Sequence, residues 1–242
     1  MRPELKLSVV APAFNEAESI ETVARRWLEV LTGFGCDFEV VVVDDGSVDG
    51  TSSVLQAIGH PRLRVQRFEF NVGYGRALRE AIRLSTGDVV VTIDSDGQFD
   101  LADAQSLVEK LDAEGLDLVT GFRRKKNDTA FRVLADRGLN LMVRMLFPLP
   151  YRDTNCALKA IRGELARALD TEAVGFPTPT EIMARSAAQG AKIAELPVSH
   201  LERAGGKTKL KALKSAVDFT LFLGYLRLQL WLRKRKTLQG QT

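Results

Sequence analysis

The sequence predicts an α/β fold in which helices flank a mostly parallel central sheet. Short runs rich in valine and isoleucine alternate with helix-length amphipathic segments through roughly the first 120 residues, which is the pattern of consecutive βαβ units. Polar clusters directly follow three of the predicted strands, at the sheet edge where such folds bind ligands. The 242 residues, 45% of them apolar, suffice for one principal domain with a substantial core.

Five strands and four helices are predicted in this first half. Each helix candidate carries apolar residues three and four positions apart, and each strand candidate is a short β-branched run. The strands are expected at Leu7–Ala11, Phe38–Asp44, Arg64–Phe68, Asp88–Ile93 and Leu116–Thr120, and the helices at Ala17–Leu31, Thr51–Ile58, Gly75–Ser85 and Leu101–Glu114.

The second half is less regular. A helix is predicted over Ala130–Phe147 and ends at the Pro148-Leu149-Pro150 break, because proline cannot continue a helix. A further helix is expected over Thr180–Gln189, followed by a strand over Ile193–Val198. The chain closes with a long helical pattern that ends in Arg233-Lys234-Arg235-Lys236.

Charge is distributed unevenly along the chain. The net charge is +3, but residues 203–236 contain ten lysines and arginines and one acid, Asp218, so this stretch carries +9 and the rest −6. A basic end on an acidic body predicts an anionic partner, such as a phosphate-bearing ligand or a membrane surface. No nucleic-acid-binding motif accompanies these charges, so we expect no nucleic-acid partner.

The apolar part of the terminal helix leaves two alternatives open. It is interrupted by Asp218, Arg227 and Gln229 and is shorter than the roughly 20 residues that cross a bilayer. It could lie at a membrane interface, with Trp231 and the basic flank at the headgroups, or pack on the core with a solvated basic end. We therefore expect a body over 1–212 and an amphipathic helix with a tail over 213–242.

The cysteines and the amino terminus indicate the compartment. Cys36 and Cys156 lie far apart and lack the spacing of a zinc site or a disulfide framework. The apolar run before Pro12 is too short for a signal peptide. We expect the body in the cytoplasm, with a membrane partner met at the cytoplasmic face.

The first polar cluster of interest is Asp94-Ser95-Asp96. Residues two apart in an extended segment point the same way, so Asp94 and Asp96 can present two carboxylates to one hard cation. Mg²⁺ or Mn²⁺ held there could neutralise a diphosphate. An isolated triplet of this kind is often a solvated turn, but here it ends an apolar strand and precedes Gly97-Gln98, which favours a functional site.

The second cluster is Asp44-Asp45-Gly46-Ser47, which follows another apolar strand. Adjacent carboxylates repel, so a bound ligand or cation is a natural reason for them. The alternative is turn and helix-cap chemistry, which Ser47 and Thr51 could provide. Both interpretations can hold together.

Two further loops carry small or basic residues. Asn71, Gly73 and Gly75 precede a predicted helix, where glycine allows the backbone to approach a ligand, although a simple turn would look the same. The loop of Arg203, Lys207 and Lys209 could supply cations to phosphate groups, or could simply be basic and solvated. His200 is more typical of a structural histidine.

Four motifs in this order and spacing resemble family 2 glycosyltransferases of the GT-A fold. Within that family the chain is most similar to the branch of dolichol-phosphate mannose synthases and polyprenyl-phosphate glycosyltransferases. The motifs are Pro12-Ala13-Phe14-Asn15-Glu16, Val43-Asp44-Asp45-Gly46-Ser47-Val48-Asp49-Gly50-Thr51, Asn71-Val72-Gly73-Tyr74-Gly75 and Asp94-Ser95-Asp96-Gly97-Gln98.

The resemblance implies a nucleoside diphosphate sugar as donor and a divalent metal, Mg²⁺ or Mn²⁺, as cofactor. It implies that the metal is held by Asp96 with Gln98 and Asp94. The residues implied to bind the nucleotide sugar are Pro12, Asn15, Glu16, Asp44, Asp45, Gly46, Ser47, Asn71, Gly73 and Asp94.

Later segments bear on the acceptor. Gly121-Phe122-Arg123 resembles the glycine-x-arginine loop of the family, and Asp153-Thr154-Asn155-Cys156-Ala157 resembles a segment in which the family usually has glycine at position 157. Arg203 to Leu210 is similar to a basic segment of the polyprenyl-phosphate branch, with Thr208 in place of serine. The first similarity implies that Arg123 binds the donor or the acceptor phosphate. The predicted acceptor-phosphate site comprises Arg123, Arg203, Lys207 and Lys209.

The predicted function is inverting transfer of a sugar, from a GDP-mannose or UDP-glucose type of donor, to a polyprenyl phosphate at a membrane surface. The predicted catalytic residues are Asp94, Asp96, Arg123, Arg203 and Asp153, with Asp153 as base for an alcohol acceptor. A phosphate acceptor is already anionic and needs positioning rather than a base. The alternatives are transfer to a soluble or polysaccharide acceptor and, more distantly, a non-catalytic nucleotide-sugar-binding module.

Overall fold

The computed structural model describes residues 2–123, 130–147, 149–201 and 212–239. Seven strands form one sheet in the order β3-β2-β1-β4-β6-β5-β7. The predicted α/β class with a mostly parallel sheet is confirmed. The strands are β1 (Lys6–Ala13), β2 (Asp37–Asp44), β3 (Leu63–Arg67), β4 (Val89–Thr92), β5 (Leu118–Arg123), β6 (Lys159–Arg162) and β7 (Ile193–Val198).

Eight helices connect and cover these strands in the described part of the chain. The predicted helices are all present, with shifted ends. They are α1 (Ile20–Thr32), α2 (Thr51–Ala57), α3 (Tyr74–Leu84), α4 (Asp103–Ala113), α5 (Ala130–Leu146), α6 (Gly163–Ala168), α7 (Thr178–Ala188) and α8 (Ala212–Gln239).

β6 runs against its neighbours and was not predicted. Strands β3, β2, β1 and β4 are mutually parallel, whereas β6 pairs antiparallel with β4 on one side and β5 on the other. Its first residue, Lys159, lies beside Thr92 at the end of β4. The segment that precedes β6 therefore reaches the same sheet edge as the loops after the parallel strands.

Two apolar layers enclose the sheet. One packs α1 and α4 against residues such as Val9, Val40 and Val91, and the other packs α3 and α6 against Val10 and Val41. Side chains alternate between the two faces along each strand because the strand period is two residues. Both faces are covered, which explains why β1, β2 and β4 are almost continuously apolar.

Helix α1 begins at Ile20 rather than at the predicted Ala17. Asn15 adopts a left-handed conformation with φ of 54°. The Glu16 amide donates to Thr51 Oγ1 at the start of α2, and the Ala17 amide donates to Asp49 Oδ2 in the loop after β2. The residues between β1 and α1 therefore contact the segment that follows β2.

One face of the terminal helix α8 packs on the body. Phe219, Leu223 and Leu226 are buried against α5 and α7, whereas Leu221 and Leu228 are exposed. Core packing, one of the two alternatives, therefore holds for this face. Among the helices of the described ranges, none is both long enough and apolar enough to cross a bilayer.

A polar network, buried at Arg185 and Glu181, also fixes α8. Tyr225 Oη donates to Glu172 Oε2 at 2.7 Å, and Gln229 Nε2 donates to Glu172 Oε1 at 3.0 Å. Arg185 of α7, 2% exposed, donates to the same carboxylate at 3.1 Å and to Glu181 at 2.6 Å. Glu181 in turn accepts the amides of residues 172 and 173, so α8, α7 and this segment form one unit.

Candidate functional site

The loops after β1 and β2 are fastened to each other. The Asn15 amide donates to Ser47 Oγ at 2.8 Å, and Asn15 Oδ1 accepts the Val48 amide at 2.9 Å. Pro12 and Gly46, of the same two motifs, are buried. The structure thus brings together the two motifs that the sequence separates by some thirty residues. Glu16 belongs to the same group, because its amide donates to Thr51 Oγ1 at 2.9 Å.

Asp44 is a buried carboxylate at the end of β2. Its Oδ1 accepts the Ser47 amide at 2.9 Å, and Arg67 Nε lies 3.6 Å from Oδ2. Among the residues that the structure describes, no group donates a hydrogen bond to Oδ2. A buried acceptor left in this state costs free energy, which an N–H or O–H group of a ligand would offset.

Asp45 organises the loop after β3. Its two oxygens accept Asn71 Nδ2 at 2.9 Å, the Val72 amide at 2.8 Å and the Gly73 amide at 2.9 Å. Burial raises the pKa of Asp45, while the hydrogen bonds from the Val72 and Gly73 amides act in the opposite direction. Asp45 therefore shapes the site by holding the Asn71–Gly73 loop in place.

The amino terminus of α3 requires glycine. Gly73 has φ of 103°, which L side chains rarely adopt. A Cβ at Gly75 would overlap the Ala173 carbonyl oxygen and Thr178 Oγ1, and the Gly75 amide donates to Val174 O at 2.9 Å. The glycines that the sequence singled out let α3 approach the segment before α7.

Tyr74 connects this helix to the acidic triplet after β4. Its hydroxyl donates to Asp94 Oδ1 at 2.9 Å. Burial, with the neighbouring Asp94 carboxylate, raises the pKa of Tyr74 well above its usual value, so the phenol stays a donor. Sequence reasoning quoted Tyr74 within a motif but gave it no role. Since Gly73 binds Asp45 and Tyr74 binds Asp94, two consecutive residues join the cluster that contains Asp45 to the triplet that contains Asp94.

The rest of the triplet is fixed by its own loop. The Gln98 amide donates to Asp96 Oδ1 at 3.1 Å, and Gln98 O accepts the Leu201 amide at 2.8 Å. Leu201 directly precedes residues 202–211. The predicted phosphate ligands Arg203, Lys207 and Lys209 fall within that segment and lie outside the described residues.

Arg123 and Asp153 pair with each other. Arg123 Nε and Nη2 donate to the two oxygens of Asp153 at 2.7 and 3.1 Å, and both side chains are mostly buried. The residue predicted to bind phosphate is therefore oriented by the residue predicted to act as base. A carboxylate held by a guanidinium fork is a weak proton acceptor, so the geometry favours orientation over base catalysis for Asp153.

A buried lysine that sequence reasoning missed lies behind this pair. Lys159 Nζ is fully buried and donates to Thr120 Oγ1 at 2.9 Å and to the carbonyl oxygens of Thr154 and Cys156. Burial lowers its pKa to about 8. Three acceptors suit an ammonium group, so Lys159 fixes the carbonyls of the segment before β6. A lone lysine at the start of an unpredicted strand gave no sequence signal.

Within the described ranges, no cluster of three or more His, Cys, Asp or Glu side chains is arranged to hold a metal ion. Asp94 and Asp96 offer two carboxylates from alternate residues, and both are half-buried. Oxygen ligands of this kind suit hard cations. A metal bound here would need further oxygen ligands, which a diphosphate carries.

Comparison with known proteins gives one family and two groups of relatives. Residues 8–166 match the family model described as "Glycosyl transferase family 2". Undecaprenyl-phosphate 4-deoxy-4-formamido-L-arabinose transferase of Enterobacter sp. (strain 638) is 34% identical over 207 residues, covering 84% of this chain and 62% of that protein. The chain thus spans less than two thirds of the length of this relative.

Among solved structures, glucosyl-3-phosphoglycerate synthase from Mycobacterium tuberculosis is similar in fold. Its complex with phosphoglyceric acid has a TM-score of 0.74 and 25% identity, covering 92% of this chain and 80% of that chain. A complex with Mn²⁺, uridine diphosphate and phosphoglyceric acid has a TM-score of 0.70 and 26% identity, covering 93% of this chain and 78% of that chain.

Proposed function

Because the chain belongs to glycosyl transferase family 2, we propose that it transfers a sugar from a nucleoside diphosphate sugar to a polyprenyl phosphate at a membrane surface. The observation that supports binding of a nucleoside diphosphate sugar is the link through Gly73 and Tyr74, which joins Asp45 to Asp94. The donor is of the GDP-mannose or UDP-glucose type. The relative from Enterobacter supports the acceptor half, since its name specifies undecaprenyl phosphate.

The donor would lie across the loops after β1, β2 and β4. A nucleobase N–H would meet the buried Oδ2 of Asp44, and Asn15, Glu16 and Ser47 would line the pocket around it. Asp94, Asp96 and Gln98 would hold Mg²⁺ or Mn²⁺. The metal supplies positive charge to the diphosphate as the leaving group departs, and the M. tuberculosis complex with Mn²⁺ and uridine diphosphate supports its presence.

Tyr74 has a supporting role in this arrangement. Its hydroxyl occupies one lone pair of Asp94 Oδ1 and fixes the rotation of the carboxylate. A fixed carboxylate loses less entropy on binding a cation, so ligand binding is stronger. The pocket formed by these loops is therefore preorganised by hydrogen bonds within the chain.

A phosphate acceptor would attack the anomeric carbon from the face opposite the diphosphate, with inversion and without a general base. Its negative charge needs cations for positioning. Arg123, oriented by Asp153, would supply one. Arg203, Lys207 and Lys209 would supply others. The segment that carries them follows Leu201, whose amide donates to the Gln98 carbonyl, which supports this assignment.

Helix α8 would present the enzyme to the cytoplasmic face of a membrane. Val217, Leu221, Leu228, Trp231 and Leu232 are exposed on it. Exposed apolar side chains flanked by arginines suit the boundary between acyl chains and anionic headgroups. The division into a catalytic body over 1–212 and a membrane-facing helix and tail over 213–242 belongs to this proposal.

A second acceptor class has its own support. The similar M. tuberculosis enzyme was solved with phosphoglyceric acid, a small soluble phosphate. The site around Arg123 would serve either kind of phosphate. Attachment to a membrane would then be unnecessary for activity, and α8 would serve only to complete the packing against α5 and α7.

The test is an assay of sugar transfer from UDP-glucose and GDP-mannose, with Mg²⁺ or Mn²⁺, to a short polyprenyl phosphate and to 3-phosphoglycerate. We expect transfer to the lipid phosphate and at least a hundredfold loss in Asp96→Asn, since removal of one such charge-stabilising group typically costs about 10²-fold or more. Asp37→Asn, at the opposite end of β2, is the matched control.

Other results of this assay would distinguish the alternative functions. Transfer to 3-phosphoglycerate alone would establish the soluble acceptor. Nucleotide-sugar binding without transfer to either acceptor would indicate a binding module. Full activity in Asp96→Asn would refute the metal site. Flotation with liposomes of the full chain and of its Leu221→Ser and Trp231→Ser variants, whose side chains are exposed, tests the membrane role of α8 separately.

A further inference from the structure

A cavity of about 420 Å³ lies between α3 and α6, and Phe68 and Val72 of the loop after β3 also line it. Four arginines line it: Arg76, Arg79 and Arg83 from α3 and Arg167 from α6. All four are exposed, so the cavity opens to solvent between their side chains. It plays no part in the function proposed above.

The positive charges in this cavity are only partly neutralised. Arg83 donates from Nε and Nη2 to the two oxygens of Glu80, at 2.8 and 2.7 Å, and is thereby compensated. Arg79 donates to the Thr171 carbonyl, and Arg167 to the Gly87 carbonyl at 3.1 Å. A carbonyl orients a guanidinium without cancelling its charge, so these two remain available to an anion.

Arg76 is the third available charge. Among the residues that the structure describes, no carboxylate lies within ion-pair distance of its guanidinium, and it stands at the start of α3 beside the cavity. Asp170, the remaining acid in the wall, is 71% exposed in its side chain and lies 3.8 Å from Arg233 of α8. The cavity therefore keeps a net positive charge.

The floor of the cavity is apolar. It is formed by Phe68, Val72, Ile82 and Leu169. A simple inorganic anion would leave this floor in contact with water. An apolar or aromatic group attached to the anion would cover it, at a gain of about 25 cal/mol per Å² of apolar surface removed from water.

We propose that this cavity is a second ligand site, which binds a phosphate ester with an attached apolar group. Phosphate is favoured over carboxylate because a monoester carries nearly two negative charges and three acceptor oxygens, which several guanidinium groups can share. The same chemistry could come from a free phosphorylated molecule or from a lipid headgroup, since Arg233 of α8 lies at the rim.

Val72 connects this site to the donor loops. Its side chain lines the cavity and its amide donates to Asp45 at 2.8 Å. A ligand in the cavity would contact the loop that Asp45 holds in place. A ligand bound in the cavity should therefore alter the affinity of the protein for nucleotide. Calorimetry with uridine diphosphate can measure this change.

The experiment compares the full chain with two variants by calorimetry in metal-free buffer. The probes are phenyl phosphate and inorganic phosphate. Arg76→Ala removes an exposed charge, and Arg79→Gln keeps a donor for the Thr171 carbonyl. Arg25→Ala removes the same charge from the exposed side of α1, where Arg25 pairs with Glu21, and is the matched control.

We expect phenyl phosphate to bind more tightly than inorganic phosphate, and each cavity variant to weaken it about tenfold, as loss of one charged hydrogen bond should. Arg25→Ala should bind as the parent does. Binding of uridine diphosphate with Mn²⁺ to the same variants provides the check that the donor site is intact. Failure of the proposed donor site would therefore be seen independently.

A second arm measures binding to phosphatidylcholine vesicles with and without phosphatidic acid. Loss of soluble phosphate binding in the cavity variants identifies a free ligand, and loss of vesicle binding alone identifies a lipid headgroup. Both results support the site. Equal behaviour of Arg76→Ala, Arg79→Gln and Arg25→Ala in both arms would overturn it.

Discussion

The hydroxyl group of Tyr74 donates a 2.9 Å hydrogen bond to Asp94, which follows it by 20 residues in the chain. Tyr74 is the first residue of α3, and Asp94 follows β4. The bond therefore makes the orientation of the acidic triplet depend on where α3 begins. That position is fixed in turn by the Gly73 amide on Asp45.

Tyr74→Phe should lower kcat/KM about tenfold and weaken Mn²⁺ binding, because a hydrogen bond to a charged group contributes roughly 1.5–3 kcal/mol. The raised pKa of Tyr74 means that ionisation of this phenol should not reduce activity below pH 10. Steady-state kinetics across a metal titration measures both effects. Tyr151→Phe, which loses a bond to the Ile193 carbonyl, is the control; equal losses in both variants would argue against a role for Tyr74.

Gly75→Ala should destabilise the protein and raise KM for the donor. The added Cβ would collide with the Ala173 carbonyl, a backbone atom that cannot simply move aside. Gly138→Ala, in α5 where a Cβ meets no atom within 4 Å, should instead stabilise by about 0.5–1 kcal/mol. Urea denaturation of both variants measures the contrast. A Gly75→Ala protein as stable as the parent would show that the close approach is not required.

Lys159 should make stability depend on pH. Its pKa is about 8 in the folded protein against an ordinary 10.5, so the unfolded chain binds more protons between these values. Stability should then rise with pH across this window relative to Lys159→Met, by up to roughly 1.4 kcal/mol per unit of pKa shift. Below about pH 8 the difference in the free energy of unfolding between the parent and Lys159→Met should be constant.

The measurement is the free energy of unfolding of both proteins at intervals from pH 7 to 10. Burial raises the pKa of Cys156 from its ordinary 9.0 to about 12. This thiol should therefore make the free energy of unfolding fall as the pH rises above 9.0, which is opposite to the effect of Lys159. Cys156 is present in both proteins, so its contribution largely cancels in the difference. Parallel stability curves would contradict the assignment.

Arg185→Met should destabilise the protein by about 3 kcal/mol, because it leaves the buried carboxylate of Glu181 without its cation. It should also loosen α8, since Arg185 and α8 share Glu172. Chemical denaturation measures the loss of stability. Limited proteolysis of the chain between α7 and α8 measures the loosening of α8. Arg25→Met breaks an exposed pair with Glu21 and should change neither.

The parallel half of the fold could be predicted because its signals are local. Apolar strands buried on both faces and amphipathic helices leave periodic patterns, and the positions of Asn15, Asp44 and Asp94 after strands placed them at one sheet edge. β6 could not be predicted in this way. It is four residues long, begins with a lysine, and is stabilised by pairing with β4 and β5, which are distant in sequence.

Individual roles within the site were harder to predict than its location. Nothing in the sequence indicates that Asp45 binds backbone amides while Asp44 keeps a buried oxygen without a hydrogen-bond donor. The pairing of Arg123 with Asp153 spans 30 residues and depends on the reversal of β6. Such differences arise from three-dimensional placement, which residue type and spacing do not encode.

The reversed direction of β6 has a consequence for how this protein could diversify. The proposed donor loops leave the sheet at the ends of β1, β2 and β4, whereas the segment of Asp153 arrives at the same edge through a connection from α5. Insertions or deletions in that connection would reshape the acceptor side without altering the spacing of any donor motif. Under the proposed function, one scaffold could thus retain its sugar donor while exchanging a lipid for a soluble acceptor.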